Sequence, residues 1–224
     1  MEWFKFNDIN SENLGIVVKE MPPITIAPRD IESIKVTGSD RQLHIDKGSY
    51  SAYEMTISII LMDSTKLDQI KKTYQGTGKL ILSTLPDRYF NATIMNQVDF
   101  SKYYSVLREA PLQFEVDPIS FSNQKKTFVA ESNTEVIVGG TAHTFPVIKV
   151  TGTGSFVINH TSVIVIESGV TIDCKNMTIT NNSINKADKV ELVNMDFPFL
   201  NPGQNTIILT GITKLEIEYE EGWL

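Results

Sequence analysis

The sequence predicts a mainly β protein with one α-helix, organised as two domains. Ile, Val and Thr together number 64 of the 224 residues, against 21 for Leu and Ala, and β-branched side chains favour strands. In the second half of the chain, short apolar runs alternate with turn residues at a spacing of about ten, which is typical of antiparallel sandwiches and jelly rolls. The length suits one large β domain or two domains of about 100 residues each.

The composition excludes several classes of function. A net charge of −7 disfavours a protein that grips nucleic acid, because such proteins neutralise phosphates with a basic surface. The single cysteine, Cys174, excludes a disulfide framework and a cysteine-based zinc site. We expect it to be a small buried apolar residue.

The chain also lacks the usual export and membrane signals. Residues 1–6 are acidic and aromatic where a signal peptide is basic and then apolar. The longest apolar stretch, residues 57–62, is far shorter than the roughly 18 residues that a membrane span needs. We therefore expect a protein that is made in a cytoplasm and has no membrane partner.

A change in composition near residue 125 indicates a domain boundary. Residues 1–125 hold 14 basic and 16 acidic residues, whereas residues 126–224 hold 6 and 11. All four arginines lie in the first part, and the polar stretch 120–126 separates Asp117-Pro118 from a new β pattern. We therefore predict two domains, residues 1–125 and residues 126–224.

The first domain contains the predicted helix. Asp63 or Ser64 can cap its start, and Gly76 suits its C-terminal end. Apolar residues recur at helical spacing and form a stripe that docks the helix on a sheet; they are Leu67, Ile70 and Tyr74. Strands are predicted at residues 54–61, 79–82, 90–96 and 103–116. In the first of these strands apolar residues alternate with polar or small ones; they are Met55, Ile57, Ile59 and Leu61.

The second domain is predicted to consist of short antiparallel strands. These strands lie at residues 146–151, 155–159, 162–166, 170–173, 177–180, 206–209 and 214–219. Turn residues separate them, at Gly152-Thr-Gly154, Asn159-His160, Ser168-Gly169, Asn181-Asn182, Pro202-Gly203 and Gly211. The Pro-Gly pair suits a type II turn, because glycine accepts the positive φ of the third position.

We predict no catalytic residue, no cofactor site and no metal site. His44, His143 and His160 have no metal-ligand spacing, and we expect them on the surface or in turns. Gly76-Thr-Gly78 and Gly152-Thr-Gly154 are similar to fragments of phosphate-binding loops, but neither continues into such a motif. We interpret both as turns.

Four carboxylates cluster at Glu216, Glu218, Glu220 and Glu221. On a strand, the first three would share one face. We interpret them as a solvated edge strand whose charge resists pairing with other chains. A glycosidase acid pair is the alternative, so the prediction is a protein that is not an enzyme, with glycoside hydrolysis kept as a minor alternative.

Motifs in order along nearly the whole chain resemble the distal tail (Dit) family of siphophage baseplates, also described as phage tail component proteins. The motifs of the first domain are Gly15-Ile-Val-Val18, Gly38-Ser-Asp-Arg41, Gly48-Ser-Tyr50, Gly76-Thr-Gly-Lys-Leu80, Pro86-Asp-Arg-Tyr-Phe90-Asn-Ala92 and Phe114-Glu-Val-Asp-Pro118. Those of the second domain are Phe197-Pro-Phe-Leu-Asn-Pro-Gly-Gln-Asn205, Gly211 and Glu216-Ile-Glu-Tyr219. The most specific match is the segment from Pro86 to Ala92.

The resemblance implies a tail-tube-like β sandwich carrying the helix in residues 1–125 and a galectin-like or jelly-roll β sandwich in residues 126–224. It implies six copies in a ring, single or stacked, at the distal end of the tail. The first domain would make the ring contacts and the second would project outward. The implied partners are further copies of the chain, the tail tube protein, the tail-associated tip protein and receptor-binding or baseplate proteins. DNA would only pass through the channel, and the implied localisation is the virion tail tip, after assembly in the bacterial host cytoplasm.

The alternative function is a lectin-like module that binds host cell-wall sugars through residues 126–224. Such a module needs exposed aromatic side chains that can stack on sugar rings. The aromatic residues of this domain occur mostly in patterns typical of a core; they are Phe128, Phe145, Phe156, Phe197, Phe199, Tyr219 and Trp223. The length also leaves no room for an inserted sugar-binding module.

Overall fold

The computed structural model describes residues 2–38, 40–95, 100–102 and 108–224. The chain divides into two compact units, Met1–Ser120 with Leu224 and Phe121–Trp223, which we call unit 1 and unit 2. The described ranges confirm the predicted fold class, which is mainly β with one α-helix. The predicted strand at 103–116 begins at residues 103–107, and the one at 90–96 ends at Asn96; these residues lie outside the described ranges.

The strands of unit 1 form one large sheet and one separate pair. They are β1 (Phe4–Phe6), β2 (Ile9–Asn10), β3 (Ile16–Glu20), β4 (Arg29–Lys35), β5 (Gln42–Tyr50), β6 (Tyr53–Leu61), β7 (Thr77–Leu82), β8 (Leu85–Ile94), β9 (Ser101–Lys102) and β10 (Arg108–Ser122). The large sheet has the order β2-β1-β7-β8-β10-β6-β3, with β9 added beside β10. Strands β4 and β5 pair only with each other among the described strands. A 3₁₀ turn spans Ser11–Leu14.

Strand β6 contributes four residues to the unit 1 core. It pairs antiparallel with β10 from Leu61 opposite Arg108 to Tyr53 opposite Val116. The predicted alternation is confirmed, because its four alternating apolar residues are 0–5% exposed; they are Met55, Ile57, Ile59 and Leu61. Alternate residues of a strand face one side of the sheet, so this pattern directs one face of β6 into the core.

The predicted helix is confirmed, although its first turn is tighter than expected. The Asp63 side chain accepts a hydrogen bond from the Thr65 backbone N–H at 2.9 Å and caps a 3₁₀ turn over Ser64–Lys66. The α-helix α1 follows at Leu67–Thr73. Its apolar stripe packs against the sheet, with Ile70 and Tyr74 buried in the same cluster as β6. The stripe therefore docks the helix, as its spacing predicts.

Unit 2 is built around two long strands. Its strands are β11 (Lys126–Ala130), β12 (Thr134–Val138), β13 (Val147–Ile158), β14 (Thr161–Val165), β15 (Thr171–Asp173), β16 (Thr178–Asn181), β17 (Ile184–Asn185), β18 (Val190–Leu192), β19 (Gly203–Tyr219) and β20 (Gly222–Trp223). The sheet has the order β11-β19-β13-β15-β16-β17, with β12 on β19, β14 on β13 and β18 on β14. A 3₁₀ turn spans Ala187–Lys189.

Two predicted turns of unit 2 are wrong, because the chain continues through them. Gly152-Thr-Gly154 lies inside β13, and Gly211 lies inside β19. The two strands pair across this region with register shifts between Thr151 and Phe156. A Cβ on Gly154 would come within 2.2 Å of the Thr210 carbonyl oxygen. These glycines therefore form a β-bulge, which bends a strand without reversing it.

The remaining predicted turns lie at or near their expected places. Asn159-His160 joins β13 to β14, and Ser168-Gly169 precedes β15. The turn predicted at Asn181-Asn182 lies one residue later, where Asn182 and Ser183 have φ of 48° and 65°. Of Gly76-Thr-Gly78, only the first glycine lies in a bend, since Thr77 begins β7.

Candidate assembly surface

Exposed apolar side chains concentrate on one segment of unit 1. Of the 21 exposed large apolar residues in the described ranges, seven lie between residues 24 and 45. They are Ile24, Ile26, Ile31, Ile34, Val36, Leu43 and Ile45. This short segment holds a third of the exposed large apolar residues, and a concentration of this kind marks an interaction site.

The hairpin of β4 and β5 has one apolar face. Ile34 lies directly opposite Leu43, and Glu32 lies opposite Ile45. Directly opposite residues of an antiparallel pair share one face of the ribbon. Ile34, Leu43 and Ile45, which we call the hairpin face, are 40%, 52% and 42% exposed. The hairpin face is therefore uncovered by the described part of the chain.

The other face of the hairpin is largely polar. The Ser33 hydroxyl and the His44 Nδ1 are 2.9 Å apart and share a hydrogen bond. Lys35 lies opposite Gln42 on the same side. The ribbon is thus amphipathic, a pattern that strands adopt when one side packs on a partner and the other faces water.

Ionic contacts brace the base of the hairpin. Arg29 forms an ion pair with Asp46, and its guanidinium lies 5.3 Å from the centre of the Tyr50 ring. The Gly48 N–H and the Arg29 guanidinium hold the pKa of the Asp46 carboxyl below its usual value, since both stabilise the charged form. Apolar Ile31 lies opposite Asp46. These contacts orient the ribbon but leave its apolar face open.

An isolated two-stranded hairpin is marginally stable in water and needs a covering partner. The described strands offer none, because β4 and β5 pair with no third strand. The hairpin face therefore suits an intermolecular contact. These two strands are absent from the predicted set, although the apolar–polar alternation of residues 42–46, soon after the turn signal at Gly38, indicates one of them.

The carboxylates of β19 do not form the predicted solvated edge. Strand β19 pairs with β11 on one side and with β13 on the other, so it is an interior strand. Glu218 pairs with Lys125 Nζ at 2.6 Å, and Glu216 pairs with Lys149 Nζ at 3.4 Å. Glu220 lies beyond the end of β19. The edge prediction is wrong because β19 is paired on both sides, and lysines distant in sequence neutralise its charges on the sheet surface.

Glu221 is more enclosed than Glu216 and Glu218. Its Oε1 accepts hydrogen bonds from Lys126 Nζ at 2.7 Å and from the Gly139 backbone N–H at 2.9 Å, and its side chain is 12% exposed. The Lys126 hydrogen bond and, after it, that of Gly139 hold the pKa of Glu221 below its ordinary 4.5. A carboxyl group whose pKa is lowered by folding stabilises the folded state at pH values above its ordinary pKa. This stabilisation is lost as the pH falls through the lowered pKa.

Glu221→Gln should therefore destabilise the protein by about 1–2 kcal/mol near neutral pH, since it replaces a charge-assisted hydrogen bond by a neutral one. The difference from the parent chain should shrink as the pH falls below 4.5. Urea unfolding across a pH series measures the loss of unfolding free energy and its dependence on pH. Glu216→Gln, at a more exposed pair, is the control and should cost at most about 1 kcal/mol. A loss for Glu221→Gln that does not change with pH would contradict this assignment.

The single cysteine and the histidines occupy the predicted environments. Cys174 is buried in the unit 2 core, and burial raises the pKa of its thiol to about 12. His44, His143 and His160 are exposed. Across the described ranges, no group of three or more His, Cys, Asp or Glu side chains is placed to hold a metal ion. In the same ranges no helix is long and apolar enough to span a membrane.

A buried asparagine of unit 2 escaped the sequence analysis. Asn205 is fully buried, and its Oδ1 accepts hydrogen bonds from the Asn201 N–H at 2.7 Å and from Asn159 Nδ2 at 2.8 Å. Its Nδ2 donates to the carbonyls of Asn201 and Gly203 at 2.8 and 3.0 Å. It thereby clamps the predicted Pro202-Gly203 turn, where Gly203 has a φ of 90°. The sequence signals for it are a polar residue two positions after Gly203 and its place at the end of the Phe197–Asn205 motif.

Two aromatic residues of unit 2 are exposed where the sequence suggests a core. Phe145 is 40% exposed and Phe199 is 37% exposed. Their neighbours Thr144 and Leu200 are buried instead, at 2% and 0% exposure. The core interpretation of these two phenylalanines is wrong, because alternate residues of paired segments face opposite sides.

The uncovered hairpin face of unit 1 is a surface of the kind that binds another chain. Comparison with known proteins specifies the class. Residues 130–223 match the family model described as the C-terminal domain of siphovirus-type tail components. No curated protein matches the sequence.

The fold of the whole chain is similar to that of a solved phage protein. The crystal structure of Dit from phage SPP1 superposes with a TM-score of 0.80 at 14% identity, covering 100% of both chains. That protein is described as a paradigm of the hub adsorption apparatus in phages that infect Gram-positive bacteria. The predicted resemblance to the Dit family is confirmed, by the family model over residues 130–223 and by the fold of the whole chain.

Proposed function

We propose that this chain forms a hexameric ring at the distal end of a siphophage tail and acts as the hub of the baseplate. The observation that carries the proposal is the uncovered hairpin face of unit 1, in a chain with the fold of SPP1 Dit. In a cyclic ring, the hairpin face of one copy packs on a different surface of the next copy. Apolar burial then supplies the association energy.

The two domains have different roles in this proposal. Residues 1–125 form the tail-tube-like ring, and residues 126–224 form a galectin-like domain that engages receptor-binding or baseplate proteins. The ring joins the tail tube protein to the tail-associated tip protein. Its function is structural and not enzymatic, and its location is the tail tip of the virion after assembly in the host cytoplasm.

The charge of the chain is compatible with DNA passage. DNA that leaves through the ring must not be held there, and a basic lumen would bind its phosphates. The net charge of −7 supports a channel without such attraction. Ordinary solubility explains the same charge equally well, so the oligomeric state is the decisive property.

Light scattering coupled to size exclusion tests the proposal directly. At micromolar concentration, the purified full chain should have a mass six times 25.1 kDa, or twelve times for stacked rings. Negative-stain electron microscopy should show sixfold rings with a central opening. Monomers alone, even after mixing with tail tube and tip proteins, would overturn the proposal.

A further inference from the structure

We propose that the unpaired edge of strand β18 and the apolar cavity that lies against it, which together we call the β18 groove, bind an extended segment of another protein. That segment has the side-chain pattern apolar, basic, apolar, and it adds one antiparallel strand to the sheet of unit 2. This contact rests on the proposed role of unit 2 in engaging other baseplate proteins, and it specifies where they bind and which chemistry they need.

Strand β18 is paired on one side only. It pairs with β14, and no other described strand lies beside it. Just after β18, the Val193 N–H donates to the Ser162 carbonyl of β14 at 3.1 Å. Along an antiparallel pair, successive residues alternate between bonding to the partner strand and pointing away from it. The backbone groups of Val190 and Leu192, three residues and one residue before Val193, therefore point away from β14.

Two of these outward-pointing groups have no hydrogen-bond partner in the described part of the chain. The Val190 N–H donates to the Ala187 carbonyl, and the Leu192 carbonyl accepts from the Met195 N–H at 3.0 Å. The Val190 carbonyl and the Leu192 N–H are left over. An acceptor and a donor placed two residues apart match the groups that an added antiparallel strand would bond. Only a polypeptide supplies the complementary pair at that spacing, as in other cases of strand addition.

A cavity of about 520 Å³ lies against β18. Most of its lining is apolar and includes Met177, Ile179, Val190, Leu192, Met195 and Phe197. Val190 and Leu192 share one face of β18, because alternate residues of a strand point to the same side. A strand added to the β18 edge would direct every second side chain to that face and so toward the cavity. Pockets for alternate side chains are what give strand addition its specificity.

Two methionines at the cavity are held in an unusual backbone conformation. Met177 and Met195 have φ of 54° and 60°, a region that residues other than glycine adopt infrequently. Their side chains are 69% and 90% exposed, and Met195 is the most exposed large apolar residue of the described ranges. Such backbone conformations cluster at binding sites, and flexible methionine side chains adapt to the surface of a partner. The two residues thus present apolar side chains to a ligand.

The charges around the β18 groove favour a basic partner. The two lysines just before β18 already form ion pairs; they are Lys186 with Glu167 at 2.9 Å and Lys189 with Asp188 at 2.8 Å. Glu191 and Asp196 are exposed and have no ion pair within the described ranges. The negative charge left at the groove is therefore not compensated by the chain itself.

The position of Glu191 defines the pattern of the bound segment. Glu191 lies between Val190 and Leu192, so its side chain is on the opposite face of β18. The residue directly across from Glu191 in an added strand would share that face, where opposite charges attract and like charges repel. Its two neighbours would face the cavity side with Val190 and Leu192. The groove therefore selects a basic residue between two apolar ones.

Fluorescence anisotropy with the full chain tests this contact. The probe is a labelled peptide of sequence Thr-Thr-Val-Lys-Val-Thr-Thr with blocked ends, and a second peptide has Glu in place of Lys. The lysine peptide should bind with a dissociation constant below about 1 mM and about fivefold more tightly than the glutamate peptide, the ratio expected for one cross-strand charge pair. Glu191→Lys should reverse this preference. Met195→Ser should weaken binding about tenfold, because it removes an apolar contact.

Ile137→Ser is the matched control, because Ile137 is 80% exposed on β12 of the same unit and its loss should not change the affinity. Circular dichroism shows that each variant is folded. Absence of binding by the lysine peptide, or binding that Glu191→Lys and Met195→Ser leave unchanged, would overturn the proposal. Equal affinity for the two peptides would reduce the site to an apolar cavity and would also overturn it.

Light scattering of the same samples separates this contact from the ring. A fall in the mass of the full chain on Met195→Ser would show that a second copy covers the β18 groove, and it would overturn the assignment to another protein. Peptide binding by a chain that is always monomeric would contradict the hexamer and support the groove. A hexamer that binds neither peptide would do the reverse.

Discussion

Replacing Ile34 and Leu43 together by glutamate should convert the proposed hexamer into monomers. The two residues lie opposite each other on the hairpin face, so the double variant places two carboxylates at its centre. Burying an Ile or Leu side chain contributes roughly 1.5–3 kcal/mol, and burying an unpaired charge costs still more. Each contact of the ring would suffer this loss, so dissociation should be complete at micromolar concentration.

The measurement is the mass by light scattering, together with the thermal midpoint. The midpoint of isolated monomers should change little, because the hairpin face lies outside the unit 1 core cluster. Ser33→Glu combined with Gln42→Glu is the matched control. It adds the same charge to the same strands on the polar face and should leave the hexamer intact. A hexameric Ile34→Glu/Leu43→Glu variant, or equal dissociation of both variants, would show that the hairpin face is not the contact.

Asn205→Ala should cause a large loss of stability in unit 2, about 2–4 kcal/mol. The substitution removes four hydrogen bonds made by one fully buried side chain. It leaves the N–H and carbonyl of Asn201, the carbonyl of Gly203 and the Asn159 amide without this partner. Each buried polar group left without a hydrogen bond costs about 1–3 kcal/mol. Movement of these groups toward water recovers part of the total loss.

Chemical unfolding monitored by circular dichroism measures this loss. Asn201→Ala is the control, because Asn201 is exposed and contributes backbone groups to the clamp. Its effect should stay within about 0.5 kcal/mol, as for ordinary surface positions. A loss below 1 kcal/mol for Asn205→Ala, or equal losses for the two variants, would contradict the clamp.

Local signals in the sequence predicted those elements whose structure depends on their own residues. The Asp63 cap and the stripe of Ile70 and Tyr74 predicted α1, because capping and helical periodicity act within a few turns. The alternation of β6 predicted its buried face for the same reason. The turn at Asn159 was also predictable, since asparagine readily adopts the positive φ of 54° found there.

Features that depend on distant neighbours could not be predicted in this way. Glycine at 152, 154 and 211 signals an unusual backbone, but only the pairing of β13 with β19 decides between a bulge and a turn. The charges of β19 are neutralised by Lys125, which precedes β11, and by Lys149 of β13, and the sequence places neither residue beside β19. The Asn205 clamp likewise joins residues 46 positions apart in its contact with Asn159.

The sequence by itself predicted a mainly β chain with one helix, and it resembled phage tail proteins. It predicted no metal or cofactor site. Only the tertiary structure decided which apolar residues are left uncovered. Alternating apolar residues look the same on a half-buried strand and on an unpartnered hairpin, because periodicity defines a face but not what covers it. The hairpin face became visible only when the pairing of all described strands was known.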